Sequence, residues 1–393
     1  MVTLVWVLVV AAISPPAFAD EEPGVAAPRW SGLDARDRPA PVGSGPGVLV
    51  AQTELDPALS LADAAVARRF LYTTRRSADS EVTTSTAAVF IPGGPVPDGG
   101  WPVVAWAHGT TGLGDDCTPS ALPRSERDAA YLGHWLRQGY AIVATDYAGL
   151  GTPGLMQYLG TEAAARSVVD SVIAAQSVDV PLAGRWAIVG QSQGAGAALG
   201  AAQRATALSA GTGLDYRGVV ATGTPAYIEY PGSLFGPVFP PIALPSGLTT
   251  YMLYILAGFL DARPDIDTRS ALTPRAEQLV DQARTRCLPE MSEITNGLDS
   301  RTVFSRPLAD VPGLSAALQE YMATPDRGYD RPIFLGQGLL DTDVPAPFAL
   351  TLAGALAANG QPVTLRVYPT DHSGTVGAST ADSTPWLATV MAP

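Results

Sequence analysis

The sequence predicts an α/β fold, a mostly parallel central sheet flanked by helices, with a helical segment inserted into it. Three observations carry that expectation. Short apolar runs alternate with helix-patterned segments over the first half of the chain, as in strands buried on both faces. The alternation stops near Pro225 and resumes only at Pro332. One apolar run, Arg185-Trp186-Ala187-Ile188-Val189, passes through Gly190-Gln191-Ser192-Gln193-Gly194 into a helix of small residues.

The totals bound the reading. At 393 residues and 47% hydrophobic content the chain can bury a large core, as one big domain or two ordinary ones. The 24 basic residues are all arginine, a compositional bias like the alanine, glycine and proline richness. A net charge of −13 excludes nucleic acid as a partner and serves solubility.

Met1 to Ala19 has the pattern of a secretory signal peptide. An apolar run, Val2 to Ile13, precedes Ala17-Phe18-Ala19, an A-x-A cleavage site, although the n-region has no basic residue. The run is too short for a membrane span, so the expected product is exported, soluble and without an integral membrane anchor. Export permits a disulfide, and Cys117 and Cys287 allow one pairing, preferred here over two free thiols.

Residues 20–47 are rich in proline, glycine and charge and read as an extended segment without a core of its own. Strands are expected at Val48 to Ala51, Arg69 to Thr74 and Val82 to Ile91, the last two as an antiparallel pair. Strand Val103 to Ala107 leads into His108-Gly109-Thr110-Thr111-Gly112. A helix over Ala130 to Gln138 precedes strand Tyr140 to Thr145, and Glu162 to Gln176 places Val168, Val169, Val172 and Ile173 on one helical stripe. The run ending at Val189, then Tyr216 to Thr222, complete this series of strands. Helices are expected within the insertion at Tyr251 to Leu260, Pro274 to Arg286 and Leu314 to Met322. The sheet resumes with Ile333 to Leu340, a helix over Phe348 to Ala358 and a strand over Val363 to Tyr368, ahead of Asp371-His372-Ser373.

The G-x-S-x-G pattern between a strand and a helix is the context of a strained nucleophile turn. Glycines at 190 and 194 let the two backbones approach while Ser192 takes unusual dihedrals. A serine nucleophile needs a base and a group to orient it. Three histidines are available. His108 follows a strand and suits loop support; His134 lies inside a helix and suits packing. His372, in a loop after the last strand, is the base candidate. Asp341, at the end of its strand, is the acid candidate, with Asp343 as competitor. Asp371 is too close in sequence to hold the neighbouring imidazole, and Asp146 is a possible pocket residue. Oxyanion donors are expected at the N–H of Gln193, at a helix N-terminus, and at the N–H of Thr110, with Gly109 second. No metal-ligand spacing, Walker motif or dinucleotide fingerprint occurs, so no cofactor and no metal are expected.

Taken in order, Tyr72-Thr73-Thr74, His108-Gly109-Thr110, Asp146-Tyr147-Ala148-Gly149-Leu150-Gly151, Gly190 to Gly194, Gly223-Thr224-Pro225, Asp341-Thr342-Asp343-Val344-Pro345 and Asp371-His372-Ser373 form an ordered set. With it, the chain resembles the secretory lipase family of α/β-hydrolases, the group that includes fungal lipase A, over most of residues 70–375. The resemblance implies an α/β-hydrolase fold and a Ser192–Asp341–His372 triad. It implies a cap between the sixth and seventh strands of the family's sheet and a Cys117–Cys287 bond tethering that cap beside the site. The expected organisation is a signal peptide at 1–19, an extended segment at 20–47, a core at 48–224 and 329–393, and a helical cap at 225–328. The expected function is a secreted, monomeric carboxylic ester hydrolase acting on a hydrophobic ester, at a lipid or polymer interface. Rivals are an acyltransferase with the same triad, a polyester hydrolase, a serine peptidase or amidase, and a non-catalytic binding protein.

Overall fold

The computed structural model describes residues 29–233, 235–237 and 246–393. The expected signal peptide, with its cleavage site, and residues 234 and 238–245 of the expected cap lie outside them.

Among the described residues nine strands form one sheet: β1 (Leu49–Glu54), β2 (Ala64–Arg75), β3 (Val82–Pro92), β4 (Trp101–Ala107), β5 (Ala141–Thr145), β6 (Leu182–Gln191), β7 (Asp215–Thr222), β8 (Ile333–Gly338) and β9 (Val363–Tyr368). Their spatial order is β1-β2-β3-β5-β4-β6-β7-β8-β9. The first three pairings in that order are antiparallel. The five from β5 to β9 are parallel. Chain order reverses at β4, which lies between β5 and β6, and crevices at such a switch point are where open α/β sheets bind ligands.

Helices α1 (Glu126–Arg137), α2 (Thr161–Ala175) and α3 (Gln193–Leu208) connect the central strands. Between β7 and β8 come α4 (Glu229–Ser233), α5 (Ser246–Ala262), α6 (Pro274–Ala283), α7 (Leu288–Thr295) and α8 (Leu314–Met322). The chain then adds α9 (Ala346–Ala358) and, after β9, α10 (His372–Val390). This insertion follows the seventh strand rather than the sixth, because β1 adds an antiparallel edge strand.

Side-chain alternation along the strands divides the core into two layers. Val103, Ala105, Val143, Ile188, Val219 and Leu335 face α2, α3 and the insertion. Val104, Trp106, Ile142, Val189, Val220 and Phe334 face α1 and α10, where Trp135 and Leu387 are buried. Residues 29–47 lie along β2, with Leu33 and Ala35 packed on Leu71 and the Arg69 guanidinium 5.2 Å from the Trp30 ring. Among the described residues, no helix is long and apolar enough to cross a membrane.

Candidate active site

Ser192 sits between the last residue of β6 and the first of α3, with φ 58° and ψ −125°. That conformation is strained for a residue with a Cβ and holds the side chain clear of both elements. The flanking glycines are dictated by contact. A Cβ at Gly190 would strike the Gly194 carbonyl oxygen, and one at Gly194 would strike that of Ala107. The Gln193 N–H opens α3, among the N-terminal amides that have no intrahelical partner.

The structure brings Asp341 and His372 together. His372 Nδ1 lies 2.7 Å from Asp341 Oδ2, and both side chains are buried. Asp341 Oδ1 accepts from the backbone N–H groups of Asp343 and Val344, at 3.0 and 2.8 Å, and Gln337 Nε2 donates to Oδ2 at 3.2 Å. These donors fix the carboxylate, which in turn fixes the imidazole with Nε2 turned away from it. The Asp343 carboxyl instead lines the adjoining cavity, where burial raises its pKa above the usual carboxylate range. Asp371 caps α10 by accepting from the Gly374 N–H at 2.7 Å. His372 is therefore the first residue of a helix, not part of a loop as the sequence suggests.

Two neighbours of the imidazole were not foreseen. The Gln191 amide stands 3.0 Å from His372 Nε2, an N–H that donates to the unprotonated nitrogen. Gly223, at φ 61°, makes room for the ring: a Cβ there would come 2.9 Å from Cε1. Gln191 lies inside the motif and could have been singled out. Gly223 was visible only as part of the resemblance.

The loop after β4 passes over the Ser192 turn, since a Cβ at Gly109 would stand 2.8 Å from Gln191 Oε1 and 3.7 Å from Ser192 Cβ. Thr110 follows in that loop, its Oγ1 2.6 Å from the Tyr158 hydroxyl. Burial pushes the Tyr158 pKa far up, so it stays a neutral hydroxyl. Nothing in the sequence marked Tyr158. His108 is buried behind the loop, with Nδ1 2.7 Å from the Gly109 carbonyl oxygen and its ring 4.4 Å from that of Tyr147. Asp146 does not line the pocket: it accepts from Thr86 Oγ1 at 2.7 Å, from the Ser120 N–H at 2.9 Å and from Ser120 Oγ. His134 Nε2 meets Thr384 Oγ1 at 2.7 Å, joining α1 to α10.

Cys117 and Cys287 are disulfide-bonded, with Cα atoms 5.3 Å apart. Beside the bond, Gly112 and Cys287 form a β-bridge and the Leu288 N–H donates to the Thr111 carbonyl at 2.8 Å. The loop carrying Thr110 is thus fastened to the insertion at the start of α7.

Ser192 and Gln193 open onto a cavity of about 280 Å³. Tyr251, Met252, Ile255, Leu256 and Phe259 of α5 form one wall, and Leu314, Leu318 and Met322 of α8 another. Among the described residues, no group of three or more His, Cys, Asp or Glu side chains could hold a metal ion.

No protein-family model matches the sequence, and no curated protein matches it. Solved structures do match. Candida antarctica lipase A in its closed state is similar with a TM-score of 0.72 at 20% identity, over 88% of this chain and 82% of that one. A ligand-bound form of the rice cell wall degrading esterase LipA from Xanthomonas oryzae is similar with a TM-score of 0.67 at 19% identity, over 88% of this chain and 97% of that one. The strand order, the Ser192 turn and these similarities together give the chain the α/β-hydrolase fold.

Proposed function

We propose that the chain is a secreted serine hydrolase of carboxylic esters with hydrophobic acyl groups. The observations that carry this reading are the Asp341–His372 pair, whose Nε2 meets Gln191 next to Ser192 in sequence, and the strained Ser192 turn lining an apolar cavity. In the proposed reaction His372 Nε2 takes the Ser192 proton as Oγ attacks the ester carbonyl, and Asp341 stabilises the imidazolium. The Gln193 and Thr110 N–H groups receive the oxyanion. Collapse of the tetrahedral intermediate expels the alcohol, which takes the proton back from His372, and leaves an acyl-Ser192 ester. Water, deprotonated by His372, releases the acid.

The cavity supports a chain-length preference. Benzene, with six carbons, occupies a cavity of about 150 Å³, so about 280 Å³ suits an acyl chain of roughly eleven carbons. Export is supported by the signal pattern of the first nineteen residues and by the disulfide. The similar lipase and esterase structures support ester hydrolysis over the rival activities.

The test is hydrolysis of p-nitrophenyl esters from C2 to C16, wild type beside Ser192→Ala. Serine-dependent turnover with its optimum between C8 and C12 is expected. Undiminished turnover by Ser192→Ala, or none by the wild type, overturns the reading.

A further inference from the structure

Glu229, the first residue of α4, is an unexpected group in this cavity. It lines the same space as Leu308, Leu314 and Leu318, yet only 3% of its surface is exposed. Its Oε2 is buried and has no hydrogen-bond partner among the described residues. No ion pair reaches it among them either. Burial raises its pKa above the usual carboxylate range. A carboxyl oxygen accepts a hydrogen bond from a hydroxyl in either protonation state.

An apolar wall would serve a plain hydrocarbon chain better. A buried polar group without a partner disfavours any ligand that leaves it so, and rewards one that supplies the missing bond. His372 and Asp341 already provide a base and its orienting group, so a second acid in the cavity has no part in the acyl transfer described above.

We propose that Glu229 is a specificity-determining residue that binds a hydroxyl group on the acyl chain, making esters of hydroxylated fatty acids preferred substrates over esters of plain ones. This rests on the reading of Ser192 as an ester-hydrolysing nucleophile with the cavity as its acyl site.

The experiment compares kcat/KM for p-nitrophenyl dodecanoate with that for dodecanoate esters hydroxylated at the sixth, ninth or terminal carbon. Wild type, Glu229→Leu and Glu229→Gln are measured side by side. For at least one hydroxyl position, the ratio of hydroxylated to plain ester is expected to be about tenfold higher in the wild type than in Glu229→Leu. Glu229→Gln, which keeps an acceptor oxygen of similar shape, should retain most of that ratio. Plain-ester turnover by Glu229→Leu shows that the variant is folded. Equal ratios in wild type and Glu229→Leu at all positions overturn the proposal while leaving Ser192 esterase chemistry intact. So does loss of all turnover in Glu229→Leu together with an unchanged ratio in Glu229→Gln relative to an apolar Glu229→Met variant that turns over. Absence of Ser192-dependent turnover in the wild type overturns both readings.

Discussion

Removing the disulfide is a perturbation whose size can be worked out. Cys117 and Cys287 are separated by 170 positions. For a loop of that length, the chain-entropy relation gives a stabilisation of about 5 kcal/mol at 25 °C. At about 2.1 cal/mol/K per residue, a chain of this size has an unfolding entropy of about 0.8 kcal/mol/K, so the loss corresponds to a Tm lower by about 6 °C. Cys117→Ala/Cys287→Ala should therefore melt about 6 °C below wild type by calorimetry without reductant. Reductant should bring the wild type down towards the variant and leave the variant unmoved. A second effect follows from the local geometry. The bond backs the Gly112–Cys287 bridge and the Leu288–Thr111 hydrogen bond, which fasten the loop bearing Thr110. Loosening that loop should lower kcat on esters severalfold with KM little changed. A Tm within 1 °C of wild type, or a variant that reductant still destabilises, would refute the reasoning.

Three further outcomes are expected. Asp341→Asn should lower kcat by about 10³–10⁴ with Tm nearly unchanged, because an amide cannot hold the imidazole in the tautomer the base needs; Asp343→Asn should cost less than about tenfold, and the reverse ranking in steady-state assays would exchange the two roles. Gly223→Ala should lower kcat by displacing the His372 ring, with far-ultraviolet circular dichroism unchanged; wild-type kcat in that variant would show that the ring does not depend on the space. Asp170 is buried, which pushes its pKa up to about 6, although it accepts from Thr74 Oγ1 at 2.7 Å. Its contribution to stability is fully present below the unfolded value near 3.8 and is lost as pH rises through about 6. Asp170→Asn keeps the acceptor and should stabilise the protein by about 2–3 kcal/mol at pH 8 but not at pH 4, read from urea midpoints; equal gains at both would refute it.

Much of the architecture was legible because it depends on local pattern. Residues 103–107 of β4, 186–189 of β6 and 219–221 of β7 are apolar at every position, as strand centres covered on both faces must be. Val363–Tyr368 and Leu314–Met322 have the bounds their patterns suggest. Gly190 and Gly194 could be read as close approaches because the motif states the geometry they serve. The helix from His372 was not legible. Its sequence carries Gly374, Gly377, Pro385 and a run of serine and threonine, all weak helix formers. Packing decides it, with Thr375, Ser379 and Ser383 buried against the sheet. Asp341 was preferred over Asp343 from its place at the strand end; what the sequence did not show is the backbone turn that directs Asp343 N–H onto Asp341 Oδ1. Tyr158 and Glu229 acquire meaning only from what tertiary packing sets opposite them.

The pairing of β7 with β8 has a consequence for how the molecule comes into being. Val219 aligns with Ile333, so the two strands meet only after the whole insertion between them has been made. Asp341 and His372 both lie beyond that point. Contacts so distant in sequence form slowly, because loop closure must precede any gain from pairing. A nascent chain that has built β1 to β7 already holds the Ser192 turn but has neither the carboxylate nor the imidazole. It can therefore cleave nothing by the proposed route while it is still being made.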